Sequence, residues 1–574
     1  MPPQHSLTLV QMFVTYTDVF GGTVTEEDLV SFLKTLGKEK TLALLTQMGF
    51  ILHNEKASDA VVQRYLAMQF LDLEDLSKID GGIRRLKPDN NGVLVLFSEL
   101  QVLNLMKLVI LHGTDDNDKD YTAEERLTLG RCCLMMNNLL MRPLPKRTNE
   151  NTDEVRRMIR DELLRNGLFQ YRERFASAFV RARELFLIIP ETLKDHPEFF
   201  NIPAAFGKTA GMTLDEFLTA GYTIWAWWRG ITMATLEGSE HFVINRKTFF
   251  TETVRQKLCE NVMEQLCLSL EEYKAVLENE RSCSDDAWHF RYTNMTIEHF
   301  PLVRSGDIII CLHMKALERM LTSNIFYVIN NSLPENQRHR FRTFFGRVFE
   351  AYVRSILKRS LEKRCVMQTY GASGKEAGEA ILVYPRTLIL IEAKSSRLSP
   401  PVFTLGDFEN YKASLRKIVV AGARQIQRVI DDFQAGEFVM EGVKRDNIGR
   451  FYPVIVTVHA LPQEAFLRAE IDNLLREENV LQNSSVAPVT LLSIEELESL
   501  EPLMNTFSLL EILGDKTGNK DYNDVSMKSF LYDRHKTLPN NEFIRAQFRS
   551  FALSMKHMIF PEEGSERGQG PTEA

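Results

Sequence analysis

Two carboxylates and a lysine stand out in GEAILVYPRTLILIEAKSSR, Gly378 to Arg397, because the stretch is otherwise largely apolar. They are Glu379, Glu392 and Lys394. The break Tyr384-Pro385-Arg386-Thr387 separates two strand-like runs. Proline suits the second position of a tight turn, where its missing amide costs nothing. With Pro385-Arg386 at the loop centre, residue numbers that face each other across the hairpin sum to 771. Glu379 then lies opposite Glu392, and Lys394, two residues further on, shares their face. Like charges placed opposite one another destabilise a sheet, so the pair calls for a cation, a shared proton or water. Lys394 alone does not neutralise both carboxylates. A hard divalent cation such as Mg²⁺ takes oxygen ligands and is commonly held by one or two carboxylates together with substrate phosphate. A solvent-exposed strand end carrying a Glu–Lys pair satisfies the same arithmetic, and the hairpin by itself does not separate the two.

The elements that must position these residues can be read on either side. RFRTFFGRVFEAYVRSILKRSL (Arg340 to Leu361) has helical periodicity, and CVMQTYG (Cys365 to Gly371) reads as a strand. After the hairpin, LRKIVVAGARQIQRVIDDF (Leu415 to Phe433) reads as a second helix and YPVIVTVHAL (Tyr452 to Leu461) as a further strand. Strand–turn–strand ending in Ile391-Glu392-Ala393-Lys394, within that order of elements, resembles the PD-(D/E)XK nuclease superfamily, the restriction-endonuclease-like fold. The resemblance runs from Arg340 to Leu461, less than a quarter of the chain. Its three-residue motif says little alone and gains its specificity from the element order.

The resemblance implies a metal-dependent (Mg²⁺ or Mn²⁺) phosphodiesterase. Glu379 occupies the position where the family usually has aspartate. This is a departure: glutamate is one methylene longer and can still reach a metal, but reduced activity or an inactive relative becomes an alternative. Glu392 would be the second metal ligand. Lys394 would orient or deprotonate the attacking water and stabilise the charge developing on phosphorus. Glu350, in the first helix, falls where many members carry an accessory acidic residue and is a third candidate metal ligand; an ordinary surface glutamate is the alternative. Gln425, in the second helix, resembles a glutamine often found near the active site. Glu376 is a weaker substitute for Glu379, because the hairpin arithmetic carries it past the position that faces Lys394's neighbour.

Charge is distributed as a phosphate-rich partner would require. Glu335 to Arg450 holds 21 Lys/Arg against 13 Asp/Glu, a balance of +8 inside a chain whose net charge is −8. A basic module in an acidic protein attracts nucleic acid without making the whole surface sticky. DNA is the expected partner. Basic helices with merely solvated faces are the bland alternative.

The remainder of the chain excludes more than it identifies. Seven cysteines form no CxxC pair and no zinc-ligand spacing, and an odd, sparse set reads as reduced and intracellular. The N-terminus lacks a charged-then-apolar leader, so a cytoplasmic protein with no signal peptide is expected. Val93 to Leu111 is apolar but carries Ser98, Glu99, Gln101, Asn104 and Lys107, which suits a buried helix or strand–helix pair rather than a membrane span. The acidic loop Gly113 to Tyr121 has no calcium-loop register. AFGKTAG (Ala205 to Gly211) lacks the first glycine of a phosphate-binding loop, with Ile202 in its place. Trp225, Trp227 and Trp228 cannot all face one way on a helix or on a strand, so packing is favoured over a base-stacking platform. Thr25 to Asp28 and Thr122 to Glu125 look like helix-starting boxes.

The expected organisation is multidomain. A mainly α N-terminal region, divided into a helical domain 1–145 and a mainly helical domain 146–330 with strands near 290–312, precedes an α/β restriction-endonuclease-like domain with a mixed central sheet at 331–500. A helical segment 501–560 and a disordered tail 561–574 follow. The helical N-terminal region suggests a protein partner or self-association. A large helical part fused to a nuclease is also the layout of bacterial defence effectors, an analogy of architecture only. A nuclease-like scaffold that binds without cutting remains the alternative.

Overall fold

The computed structural model describes residues 11–559 apart from 54–58, 87–92, 116–120, 141–159, parts of 162–172, 231–242, 250–255, 285–286, parts of 362–377, 400–401, 403–405, 464, 524 and 537. The expected linker Met141 to Glu154 and tail 561–574 lie outside the described residues, as does most of the acidic loop after Asp115. The chain divides into two compact units, one of Met1–Lys146, Glu216–Leu321 and Met555–Ala574, the other of Arg147–Asp215 and Thr322–Ser554. The layout is multidomain, α plus α/β.

The first unit is mainly helical. Thr25 caps the helix Glu26–Leu33 in reciprocal exchange with Asp28, and Thr122 and Glu125 make the same exchange further on. Val93 to Leu111 resolves into the short strand Val93–Val95 and the helix Glu99–His112, started by Ser98. The tryptophans lie on the helix Leu214–Gly230, with Trp225 and Trp228 buried and Trp227 exposed, so helix packing uses two of the three. The strand-like reading of Arg291 to Leu312 needs correction in its first half. Ala287–Tyr292 and Met295–His299 are helical, and only Leu302–Ser305 and Ile308–Cys311 pair as a hairpin about Gly306. That hairpin joins Val243–Asn245 and Cys267–Ser269 in a four-stranded sheet.

The second unit contains the hairpin that carries the charged residues. Its helices are labelled α1 (Phe175–Arg183), α2 (Glu335–Leu361), α3 (Phe408–Leu415), α4 (Ala421–Ala435), α5 (Ala465–Glu477) and α6 (Ile494–Met504). Its strands are β1 (Cys365–Val366), β2 (Ala380–Tyr384), β3 (Thr387–Lys394), β4 (Arg450–Thr457) and β5 (Thr490–Ser493). They form a mixed sheet in the order β5-β4-β3-β2-β1. The β3–β4 and β4–β5 pairs are parallel, whereas β2 runs antiparallel to both β3 and β1. β3 is central and its first seven residues are buried, as a strand covered on both faces must be.

Alternation along β3 sorts its side chains. Leu388 and Leu390 join Ile381 of β2 and Ile455 of β4 in a core with Tyr411 of α3, Ile426, Val429 and Ile430 of α4, and Leu467 and Ile471 of α5. The residues that continue this face beyond Leu390 are Glu392 and Lys394. A π-helical turn, Arg416–Val420, connects α3 to α4, so the expected helix Leu415 to Phe433 is continuous but begins earlier, at Phe408.

The expected domain 146–330 is not a unit. Residues 147–215 belong with the second unit and 216–321 with the first. The cause lies in side chains that periodicity does not match to partners. Arg181 of α1 forms a forked ion pair with Glu498 of α6, at 2.7 and 2.6 Å, and Tyr352 of α2 donates to the same carboxylate at 2.8 Å. Phe186 stacks on Phe345 of α2. The segment 501–560 is helical as expected, and through Ser554 it also belongs to the second unit.

Candidate functional site

The hairpin has the expected register. Tyr384 pairs with Thr387 and Ala380 with Ile391, each pair summing to 771, so Pro385-Arg386 is the two-residue turn. Arg386 adopts φ 62°, the left-handed conformation that such a turn needs at its second central residue. Its carbonyl accepts from the N–H groups of Gly449 and Arg450, which ties the turn to the start of β4.

One step past the last ladder pair, the Glu379 N–H donates to the Ile391 carbonyl at 3.0 Å. Glu379 thereby stands opposite Glu392. Gly378 makes this approach possible. It has φ +85°, and a Cβ there would lie 2.9 Å from the Ile391 carbonyl oxygen and 3.3 Å from Glu392 Oε2. The Glu379 carboxylate turns back onto β3, where Oε2 accepts from the Ala393 N–H at 2.5 Å. Both glutamates are buried, Glu379 at 3% exposure and Glu392 at 6%, which removes the solvent-exposed alternative for the strand end.

Lys394 bridges from this pair to α4. Its Nζ donates to Glu392 Oε1 at 2.7 Å and to Gln425 Oε1. Gln425 is therefore where the resemblance places it. α4 comes close to β3 because residue 422 is glycine: a Cβ there would lie 3.2 Å from both Lys394 Cε and Ile455 Cδ1. Glu350 enters from α2, held by Arg347 at 3.2 Å and Arg354 at 3.9 Å. Glu350, Glu379, Glu392, Lys394 and Gln425 line one open cavity of about 280 Å³, together with Arg347 and Arg428. All five site residues named from the sequence thus come together, on β3, on α2 and α4, and on the residue leading into β2. The side chain of Glu376 lies outside the described residues.

The electrostatics are those of an under-compensated acidic pair. Burial holds the Glu379 carboxyl well above the ordinary carboxylate range, and the charges of Glu392 and Glu350 push it further, against the Ala393 N–H and Arg354. Burial also raises Glu392, with Lys394 and Arg428 pulling it down and Glu350 pushing it up. A hard divalent cation fits this donor set, because it would replace the mutual repulsion of two buried carboxylates with shared attraction. Among the described residues no group of three or more His, Cys, Asp or Glu side chains is gathered for a metal. Glu379 and Glu392 would hold the ion, with oxygens of water or phosphate completing its shell; the third expected ligand, Glu350, is engaged by arginines in the metal-free protein.

Sequence reasoning missed four contributors: Gly378, Gly422, Arg347 and Arg428. Their signals were present. Gly378 immediately precedes Glu379, Gly422 lies three residues before Gln425, Arg428 three after it, and Arg347 three before Glu350. Residues three apart on a helix share a face.

Among the described residues no helix is long and apolar enough to cross a membrane. AFGKTAG lies within and just beyond the helix Ile202–Ala210, with Gly211 as its left-handed cap, so it forms no phosphate-binding loop. Comparisons of the chain with protein families, curated proteins and solved structures found no match.

Proposed function

We propose that the chain is a metal-dependent phosphodiesterase of the PD-(D/E)XK type that hydrolyses nucleic acid, with DNA as the expected substrate. The observation that carries the reading is the convergence of Glu379, Glu392, Lys394 and Gln425 on one cavity at the end of a central strand. The strand order agrees with it: a helix, an antiparallel hairpin bearing the acidic and Glu-x-Lys residues, a helix, then a parallel strand beside β3. A bound Mg²⁺ or Mn²⁺ would supply Lewis acidity toward a phosphoryl oxygen and lower the pKa of a water. Glu379 and Glu392 hold the positive charge in place. Gln425 and Glu392 fix the Lys394 ammonium, which faces the cavity and can orient an attacking water or stabilise charge on phosphorus. The basic balance of Glu335 to Arg450 draws a polyanion toward the acidic pair.

The test is cleavage of supercoiled plasmid, linear duplex and single-stranded DNA and RNA, with Mg²⁺, Mn²⁺ or EDTA. Metal-dependent cutting that Lys394→Ala and Glu392→Ala both abolish supports the reading, and the substrate panel sets its class. A second reading, a nuclease-like protein that binds without cutting, draws on the absence of a gathered third acidic ligand among the described residues. Its expected result is nucleic-acid binding with no cutting under any metal. In either case the helical unit would carry partner recognition, the layout of a sensor joined to an effector.

A further inference from the structure

Three consecutive residues lie along α2 in reverse order. Phe200 packs on Phe341 with ring centroids 5.7 Å apart, and Phe199 meets Phe344 edge-on at 5.3 Å. Glu198 then reaches Arg347, whose Nε donates to Glu198 Oε2 at 2.8 Å. Phe341, Phe344 and Arg347 are spaced by three, one face of the helix, and both phenylalanines on α2 are fully buried. The two aromatic contacts fix where the Glu198 carboxylate stands. Its backbone is held as well, the Glu198 N–H donating to His196 Nδ1 at 3.1 Å.

Arg347 is a wall of the cavity that holds Glu379, Glu392 and Lys394. An arginine at the mouth of such a cavity has the fork geometry that suits a phosphate. Here that fork meets a carboxylate supplied from outside the cavity, since Glu198 is not among the lining residues. The ion pair is not a buried structural one: the Glu198 side chain is 39% exposed and that of Arg347 32%. Pairs of this exposure contribute little to stability, on the order of 0–1 kcal/mol. A strap anchored by two aromatic contacts to place a weak pair at the cavity mouth is therefore poorly explained by stability.

We propose that Arg347 is a substrate-positioning residue that grips a backbone phosphate next to the scissile one, and that Glu198 occupies its guanidinium as a phosphate substitute until nucleic acid displaces it. The inference rests on the nuclease reading and adds to it a phosphate contact with a built-in competitor. Glu198 acts on binding rather than on the chemical step, so its removal lowers KM and leaves kcat in place.

The experiment measures binding of a fluorescein-labelled DNA duplex and of the matching single strand by anisotropy, in Ca²⁺ and across a salt series. The proteins are wild type, Glu198→Gln, Arg347→Ala and the double variant, each checked by thermal melting. Glu198→Gln should bind several-fold more tightly, and its plot of log affinity against log salt should steepen by about 0.9 for duplex, one added phosphate contact. The double variant should lose the whole gain. An equal gain from Glu198→Gln with Arg347 already removed would mean general charge repulsion and overturns the proposal, as does an unchanged salt slope. Should Glu198→Gln melt early, Glu198→Ala carries the same test. A wild-type protein that neither binds nor cuts any nucleic acid overturns the nuclease reading and this inference together; one that binds with a slope indifferent to Glu198 overturns this inference alone.

Discussion

Lys394 and Gly422 are in close approach: a Cβ on Gly422 would stand 3.2 Å from Lys394 Cε. Glycine in a helix interior costs roughly 1 kcal/mol relative to alanine. α4 carries that cost at the one point where the lysine stem crosses it. Gly422→Ala should therefore separate stability from activity. The melting temperature should hold or rise, because helix propensity improves and the Lys394 stem can shift by a few tenths of an ångström. The shift would pull Nζ from Gln425, and cleavage should fall by roughly tenfold, since ångström-scale misplacement of a reacting group can cost about a hundredfold. Paired melting and single-turnover assays check this. Equal loss of both would show that the glycine serves packing only.

The Glu379–Glu392 pair sets a pH dependence whose sign follows from its environment. Burial and mutual repulsion raise both carboxyls above their ordinary value of 4.5. In the window between 4.5 and the raised folded values, the folded chain holds more protons than the unfolded chain. The stabilisation is complete below the window and is lost as pH rises through the folded values. In EDTA, stability should thus decline from mildly acidic toward neutral pH. Mg²⁺ or Mn²⁺ should offset the decline, and more strongly at higher pH, because the cation binds the deprotonated pair. Glu379→Gln should flatten the EDTA curve and remove most of the cation's effect. Melting curves across pH with and without the ion test both statements.

The network around Glu498 supports the placement of α1 in the second unit. Glu498 is 2% exposed and accepts from both Arg181 and Tyr352. Glu173, the other partner of Arg181, has its carboxyl raised to about 7 by burial, so Arg181 needs Glu498 for its charge. Glu498→Ala removes one partner of a buried pair and should cost about 3–5 kcal/mol. Replacing both partners, Arg181→Met with Glu498→Leu, should cost far less, because no charge is stranded. Urea unfolding reads both values, and the loss should fall in the transition that also exposes the hairpin.

What the sequence revealed depended on the range of the interaction. The turn Pro385-Arg386 fixes the hairpin, and a period of two then places Glu379 against Glu392 with no tertiary information. Helix boxes such as Thr25–Asp28 are equally local. Glu350 and Gln425 could be placed beside the hairpin only through a resemblance of element order, because nothing local ties a helix residue to a strand end. The domain boundary was lost for the same reason. The helices of 147–215 carry ordinary periodicity, and which core they join is decided by Arg181 meeting Glu498, 317 residues away. The early strand assignment near Arg291 failed because apolar residues in helices as short as Met295–His299 do not reveal a 3.6-residue period.

The identity of residue 379 gives a last test, because the superfamily it resembles usually carries aspartate there. In this chain the extra methylene has a use. Glu379 lies one residue before β2, and its Oε2 reaches the Ala393 N–H on the partner strand at 2.5 Å. An aspartate would fall short of that donor, leaving a buried N–H without its partner at a cost of about 1–3 kcal/mol. It would also lose the hydrogen bond that opposes the upward shift of its own carboxyl. Glu379→Asp should therefore lower stability and cleavage together, although it restores the commoner family residue. Glu379→Gln should keep the reach to Ala393 and most of the stability while abolishing metal-dependent cutting. Melting, cation binding and cleavage measured on both variants decide the matter. A more active Glu379→Asp protein would mean that the present glutamate impairs the site rather than fits it.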